Sequence, residues 1–207
     1  MTTEHKVIGG VILLSLVILI GGAWLSDKQV SKNREKLNKP LMGEEIANLG
    51  AQHVARGQSH PAYNSNPPTS GWHWGDGVAG PGIKTESVPD ELVLHSMEHG
   101  AVVVWYREGL EQSEVNKIKE AFSGSSGKKI MLPRKDLDVP VALTSWNYLL
   151  KLESIDQGKI KEFIETTNSR TSRCFGWRLS NGIYTHFFQF SITITVTTSN
   201  RLKHGFC

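Results

Sequence analysis

Cysteine is almost missing from this chain: its 207 residues include two, Cys174 and Cys207, and none precedes Cys174. The body of the protein therefore has no thiol to act with a histidine in nucleophilic catalysis, and it suits an oxidising compartment where stray thiols are a liability. Other signatures are missing too. The chain has no Gly-x-Ser-x-Gly, no phosphate-binding Gly-x-x-x-x-Gly-Lys-Ser/Thr and no His-Glu-x-x-His, which removes the common hydrolase and nucleotide readings. No Lys/Arg cluster lies beside an aromatic platform in the main body, so nucleic acid is not an expected partner, and neither is a nucleotide.

Acidic residues run out after Glu165. Of 23 basic and 20 acidic residues, five basic and no acidic ones fall in 166–207, which leaves 18 against 20, or −2, for residues 1–165. The formal charge of +3 thus belongs to the tail. That tail also holds thirteen Ser/Thr, both cysteines and the β-prone run FFQFSITITVTT, and it begins in the middle of a helical pattern. A terminal hairpin with period-two alternation is one reading, and a frameshifted or disordered end is the favoured one. No function and no disulfide are assigned to 166–207.

Charge is also absent from Val7 to Leu25, where Ser15 is the sole polar side chain. Nineteen such residues in a helix cover about 28 Å, the depth of the bilayer's hydrocarbon core. Residues 7–25 are expected to be an uncleaved single-pass anchor behind a short tail, 1–6, and ahead of a polar stalk or solvated helix, 26–40. Lys28, Lys32, Arg34, Lys36 and Lys39 outnumber the charges before the apolar run. Read literally, the positive-inside rule would keep the following domain in the cytoplasm.

Residues 41–165 read as one α+β domain with a mostly antiparallel sheet, two flanking helices and a long ordered loop rich in Gly, Pro, Asn and Trp. GEEIANLGAQHV is expected to form a short helix ending near Arg56-Gly57, and ELVLHS and AVVVWY to form strands. LEQSEVNKIKEAF has Val115, Ile118 and Phe122 at helical spacing. KKIMLP and VALTSWNYLLKL read as two further strands. A last helix carries Ile160, Phe163 and Ile164, with Ser154 and Gln157 at capping-box spacing. Residues 57–89 lack regular periodicity, but Tyr63, Trp72 and Trp74 argue for a packed loop rather than disorder.

Five of the eight histidines lie between His53 and His99. Imidazole suits a borderline metal or proton transfer near neutral pH, and Gly/Pro/Asn turns can fold such groups inward. On a helix His95 and His99 would share a face, ready for one ion; on a straight strand they would stand about 13 Å apart. The candidate is a mononuclear site of His60, His73, His95 and His99, with Glu98 as ligand or as orienter of an imidazole. Histidines suit zinc or copper, and an inward Met97 would favour copper. Beside this stand metal-free acid–base work by His and Glu, and a bland reading in which the histidines satisfy loop carbonyls, as Asn64, Asn66, Thr69 and Ser70 can. His53 is expected to meet the terminal carbonyls of a helix rather than an ion. Trp72, Trp74 and Trp105 read as packing residues, and Asp76, Asp90 and Glu91 as caps or solvated charges.

The motifs HPAYNSNPPTSGWHWG and VPDELVLHSMEHGAVVVWY, behind an apolar anchor, resemble the bacterial membrane-anchored family of the domain of unknown function 3105. The resemblance spans about Gln52 to Glu165. It implies a single-pass protein of the plasma (inner) membrane with its C-terminal domain extracytoplasmic. The family has no assigned activity to carry over. Two classes remain open: a tethered metal-binding or metal-delivering module, and a non-enzymatic envelope interaction domain with a protein partner. The lipid bilayer, met through 7–25, is the expected partner in both.

Overall fold

A computed structural model describes residues 3–171, and the tail reading of 172–207 lies outside the described residues. The chain divides into two compact units, Met1–Pro40 and Leu41–Cys207.

The first unit is one helix, α1 (Thr3–Asn38). Its Gly10–Ser31 segment, with mean hydropathy 2.0, is long and apolar enough to cross a membrane. Ser15 hides its hydroxyl by donating to the Val11 carbonyl at 2.9 Å, the usual way a helix carries serine through an apolar run. The polar residues after Leu25 continue the same helix to Asn38.

The second unit contains β1 (Glu44–Glu45), β2 (His53–Val54), β3 (His73–Trp74), β4 (Gly82–Ile83), α2 (Asp90–Glu98), β5 (Val102–Arg107), α3 (Gln112–Ser123), β6 (Lys129–Arg134), β7 (Val141–Ser145), β8 (Tyr148–Leu152) and α4 (Gln157–Thr167). Six strands form a mixed sheet in the order β1-β8-β7-β5-β6-β4. The β1–β8, β8–β7 and β7–β5 pairs are antiparallel; β5–β6 and β6–β4 are parallel. This is an α+β fold.

Helices cover both faces, which is why the central strands read as unbroken apolar runs. Alternation along β5 sends Val103 and Trp105 to one side, where they meet Val93, Leu94 and Met97 of α2. It sends Val102 and Val104 to the other, against Ile118 and Phe122 of α3 and Ile160 and Phe163 of α4. The site described below lies on the α2 side.

Four local expectations are corrected. ELVLHS is helical, within α2, not a strand. GEEIANLGAQHV contributes the two-residue strand β1, a loop and the start of β2 instead of a helix; Glu45 pairs with Tyr148, and sheet pairing there outweighs a weak apolar period. VALTSWNYLLKL is a hairpin, β7 and β8, turning through Asn147 at φ 65°, a left-handed conformation that asparagine tolerates. The α4 cap is Asp156, whose carboxylate accepts from the Lys159 N–H at 3.0 Å, in place of Ser154.

The pattern break at Thr166 does not end the helix. Thr166 and Thr167 are buried in the last turn of α4 and donate to the Glu162 and Phe163 carbonyls.

Candidate metal centre

The short helix α2 carries half of the site. Asp90 and Glu91 occupy its first turn, where negative charge meets the positive end of the helix dipole. It closes on Gly100, at φ 86°, with Ala101 N–H donating to Ser96 O at 3.0 Å and Gly100 N–H to Met97 O at 2.9 Å, the paired bonds of a Schellman ending. Val93, Leu94 and Met97 face the sheet, so residues 95 and 98, three apart, share the face turned toward the loop.

The other half comes from a two-stranded parallel ladder. β2 and β3 pair in the register His53↔His73, which sets these side chains next to each other at the spacing between strands. Their ring centroids are 4.8 Å apart, those of His53 and His95 5.1 Å, and those of His73 and His95 5.3 Å. With Glu98 they form a group whose ligand atoms all lie within 4.8 Å of one another. His73, His95 and Glu98 are buried; the His53 side chain is 45% exposed and forms the open side.

The Gly71–Gly77 loop aims these rings. His73 Nδ1 lies 2.8 Å from the Gly71 carbonyl and His95 Nδ1 2.7 Å from the Gly77 carbonyl. A carbonyl only accepts, so both Nδ1 atoms donate a proton to it, and Nε2 is the nitrogen that each ring turns toward the cluster. Ser96 Oγ donates to the Ala79 carbonyl at 2.8 Å, tying the same loop to α2. Trp146, buried, stands edge-on to His73 at 6.2 Å. Gly75 packs under His53: a Cβ there would fall 3.1 Å from its Cβ and Cγ.

Glu98 Oε2 faces His73 Nε2 at 3.1 Å and His53 Nε2 at 3.4 Å. Burial, followed by the neighbouring imidazoles of His73, His99 and His53, holds His95 below the usual histidine range despite its bond to Gly77. Its ring is thus neutral, the form that ligates a metal.

The residues named from the sequence are distributed as follows. His73, His95 and Glu98 come together. His99 lies one helical turn beyond, its ring centroid 5.0 Å from that of His95, and is not in the group. His60 is elsewhere, with Nδ1 2.9 Å from the Pro61 carbonyl and Nε2 3.3 Å from Glu91. Met97 points into the core, where its sulfur accepts from Thr144 Oγ1 at 3.2 Å, and that hydroxyl accepts from the Trp105 indole at 2.8 Å. His53 joins the cluster; the helix whose terminal carbonyls it was expected to meet does not exist. Its place is set by the ladder, where the dipeptides His53-Val54 and His73-Trp74 align, and no periodicity in the sequence marks that pairing.

Gly71 holds a backbone conformation that a side chain would strain. It sits at φ 121° with Tyr63 and Leu49 atoms 3.3–3.4 Å from where a Cβ would be, and the Tyr63 hydroxyl donates to the adjacent Trp72 carbonyl at 2.9 Å. Gly71→Ala is expected to cost about 1–3 kcal/mol of stability, seen as a lower urea midpoint by tryptophan fluorescence; an unchanged midpoint would show that the loop relaxes freely.

A three-imidazole, one-carboxylate cluster of this kind, set in the α+β domain of a chain that also carries an N-terminal apolar helix, defines a domain able to hold a metal ion. Residues 53–174 match the family described as Protein of unknown function (DUF3105), and the chain belongs to that family. No curated protein and no solved structure matches it significantly.

Proposed function

We propose that this is a membrane-anchored, extracytoplasmic metal-binding protein in which His53, His73, His95 and Glu98 hold one zinc or copper(II) ion. The observation that carries the reading is the approach of the buried Glu98 carboxylate to His73 Nε2 at 3.1 Å. With the His73 Nδ1–H committed to the Gly71 carbonyl, Nε2 is the nitrogen turned to the carboxylate, and an ion between the two would engage both. Glu98 is also the last residue of α2. Its charge therefore stands at the negative end of the helix dipole, which adds to the demand for a cation.

Geometry supports the same reading. Imidazoles bound by one nitrogen to a tetrahedral ion at about 2.0–2.1 Å keep their ring centroids about 5 Å apart. The three separations here are 4.8, 5.1 and 5.3 Å, and small side-chain turns bring the nitrogens onto the ion. The donor set is nitrogen and oxygen, because the Met97 sulfur is engaged in the core; that favours zinc or copper(II) over copper(I). Anchoring through residues 7–25 is supported by the apolar helix and by Lys28 Nζ lying 3.6 Å from the Trp24 ring centroid, a pair suited to a membrane–water interface. Extracytoplasmic placement is supported by the lack of cysteine before Cys174, which suits an oxidising compartment.

The full chain, purified in detergent without a His tag, is expected to bind zinc or copper(II) with submicromolar affinity by titration and elemental analysis. The His53→Ala/His73→Ala double variant should lose that binding, whereas His60→Ala should keep it. No binding below micromolar, or equal binding by the double variant, would overturn the reading. The domain would then be an envelope interaction module whose histidines serve loop carbonyls, as His60 does at Pro61.

A further inference from the structure

We propose that the centre is built to transfer its ion rather than to keep it, with His99 as an outer station through which the ion enters and leaves; this rests on the metal-binding reading above. Four imidazoles lie in one chain of contacts, and their commitments differ. His73 and His95 are each pinned by an Nδ1–H donated to a carbonyl. The His99 backbone is fixed, its N–H donating to His95 O at 3.3 Å and its carbonyl accepting from Lys128 Nζ at 3.4 Å. Among the described residues no hydrogen bond engages the His99 ring, which is half-buried at the end of α2.

That ring lies 5.0 Å from His95, as close as the rings that share the inner site. His95 and His99 are one helical turn apart, the spacing at which two imidazoles hold a common ion. His95 Nε2 has a single lone pair, so it serves one ion at a time, and it is the ligand that the inner and outer positions share. An ion held by His53, His73, His95 and Glu98 passes outward when His99 adds to it and the half-exposed His53 or the Glu98 carboxylate lets go; entry is the reverse. One metal–ligand bond forms as another breaks, and no electron or proton need move.

Lowering the barrier to exchange speeds binding and release alike, so His99 controls rates and leaves the equilibrium nearly untouched. The full chain is loaded with zinc in detergent, and transfer to a chromogenic chelator is followed by stopped flow. His99→Ala and the ring-preserving His99→Phe are expected to slow transfer roughly tenfold, with equilibrium affinity held within about threefold. Added free imidazole should restore the rate of His99→Ala and do little for the parent. Transfer at the parental rate in both variants would overturn the proposal. So would a loss of equilibrium affinity as large as that of His95→Ala, which would make His99 an ordinary ligand. Failure of the parent to bind zinc at all would instead overturn the metal-binding reading, before any rate is measured.

Discussion

Glu98→Gln is expected to strengthen the metal-free fold while weakening zinc or copper(II) binding by about 100-fold or more, beyond the roughly 10–100-fold that follows loss of a group merely supporting a ligand. The opposite signs come from one feature. Without an ion the carboxylate is buried, with its side chain 5% exposed, at the negative end of α2 and against Nε2 of His73. A glutamine of the same shape removes the charge and can donate its amide N–H to that nitrogen, a gain of about 1 kcal/mol. With an ion the balance reverses, because the carboxylate supplies the only negative charge in the donor group. Had Glu98 evolved as the partner of a permanently protonated His73, removing its charge would leave a buried cation unpaired and cost about 3–5 kcal/mol. Thermal unfolding of metal-free parent and variant, paired with metal titrations, separates the cases: a large loss of metal-free stability together with unchanged affinity would refute the metal role of Glu98.

Much of the framework could be read from local periodicity. The α3 residues Val115, Ile118 and Phe122 and the α4 residues Ile160, Phe163 and Ile164 are buried as their spacing demands, and β5 shows the apolar run of a strand covered on both faces. The helix α2 was harder. Its run Leu92-Val93-Leu94 is equally apolar in either conformation, and the deciding signals are at its ends: Pro89 with Asp90 and Glu91 at the start, and Gly100 at the close. That single assignment controls the site. In a strand, Met97 would lie on the same side as His95; in the helix, Met97 turns to the core and Glu98 replaces it beside His95. His53 was illegible for a different reason. Its neighbour in the ladder is 20 residues away in sequence, and a parallel pairing of two-residue strands leaves no periodic trace. Nor could spacing separate His60 from the cluster, since it depends on where Glu91 and the Pro61 carbonyl fall in the folded loop.

Zinc at a hundredfold excess over its dissociation constant is expected to stabilise the parent by about 2.7 kcal/mol at pH 7.5, a rise in Tm of very roughly 5–10 °C at about 2–4 °C per kcal/mol for this size of chain. The shift should shrink through pH 6.5 and vanish near pH 5. The sign follows from the imidazoles, since each must be neutral to ligate, so protons compete with the ion as pH falls. His95 adds a contribution that needs no ion. Burial and the adjacent His73, His99 and His53 hold its pKa below the unfolded value, which is about 6.5. The unfolded chain therefore takes up the proton first. The stability that the neutral ring provides is whole above about pH 6.5 and falls away as pH drops from there toward the folded pKa and through it. The metal-free parent should thus lose some stability over this interval. The zinc-loaded protein should lose more, since it sheds its ion as well. In His95→Ala the zinc-dependent part should be largely gone at every pH. Calorimetry or fluorescence-monitored melting at pH 7.5, 6.5 and 5.0, with and without chelator, reads both contributions. A zinc-dependent shift as large at pH 5.0 as at 7.5 would mean that carboxylates elsewhere, and not these imidazoles, hold the ion.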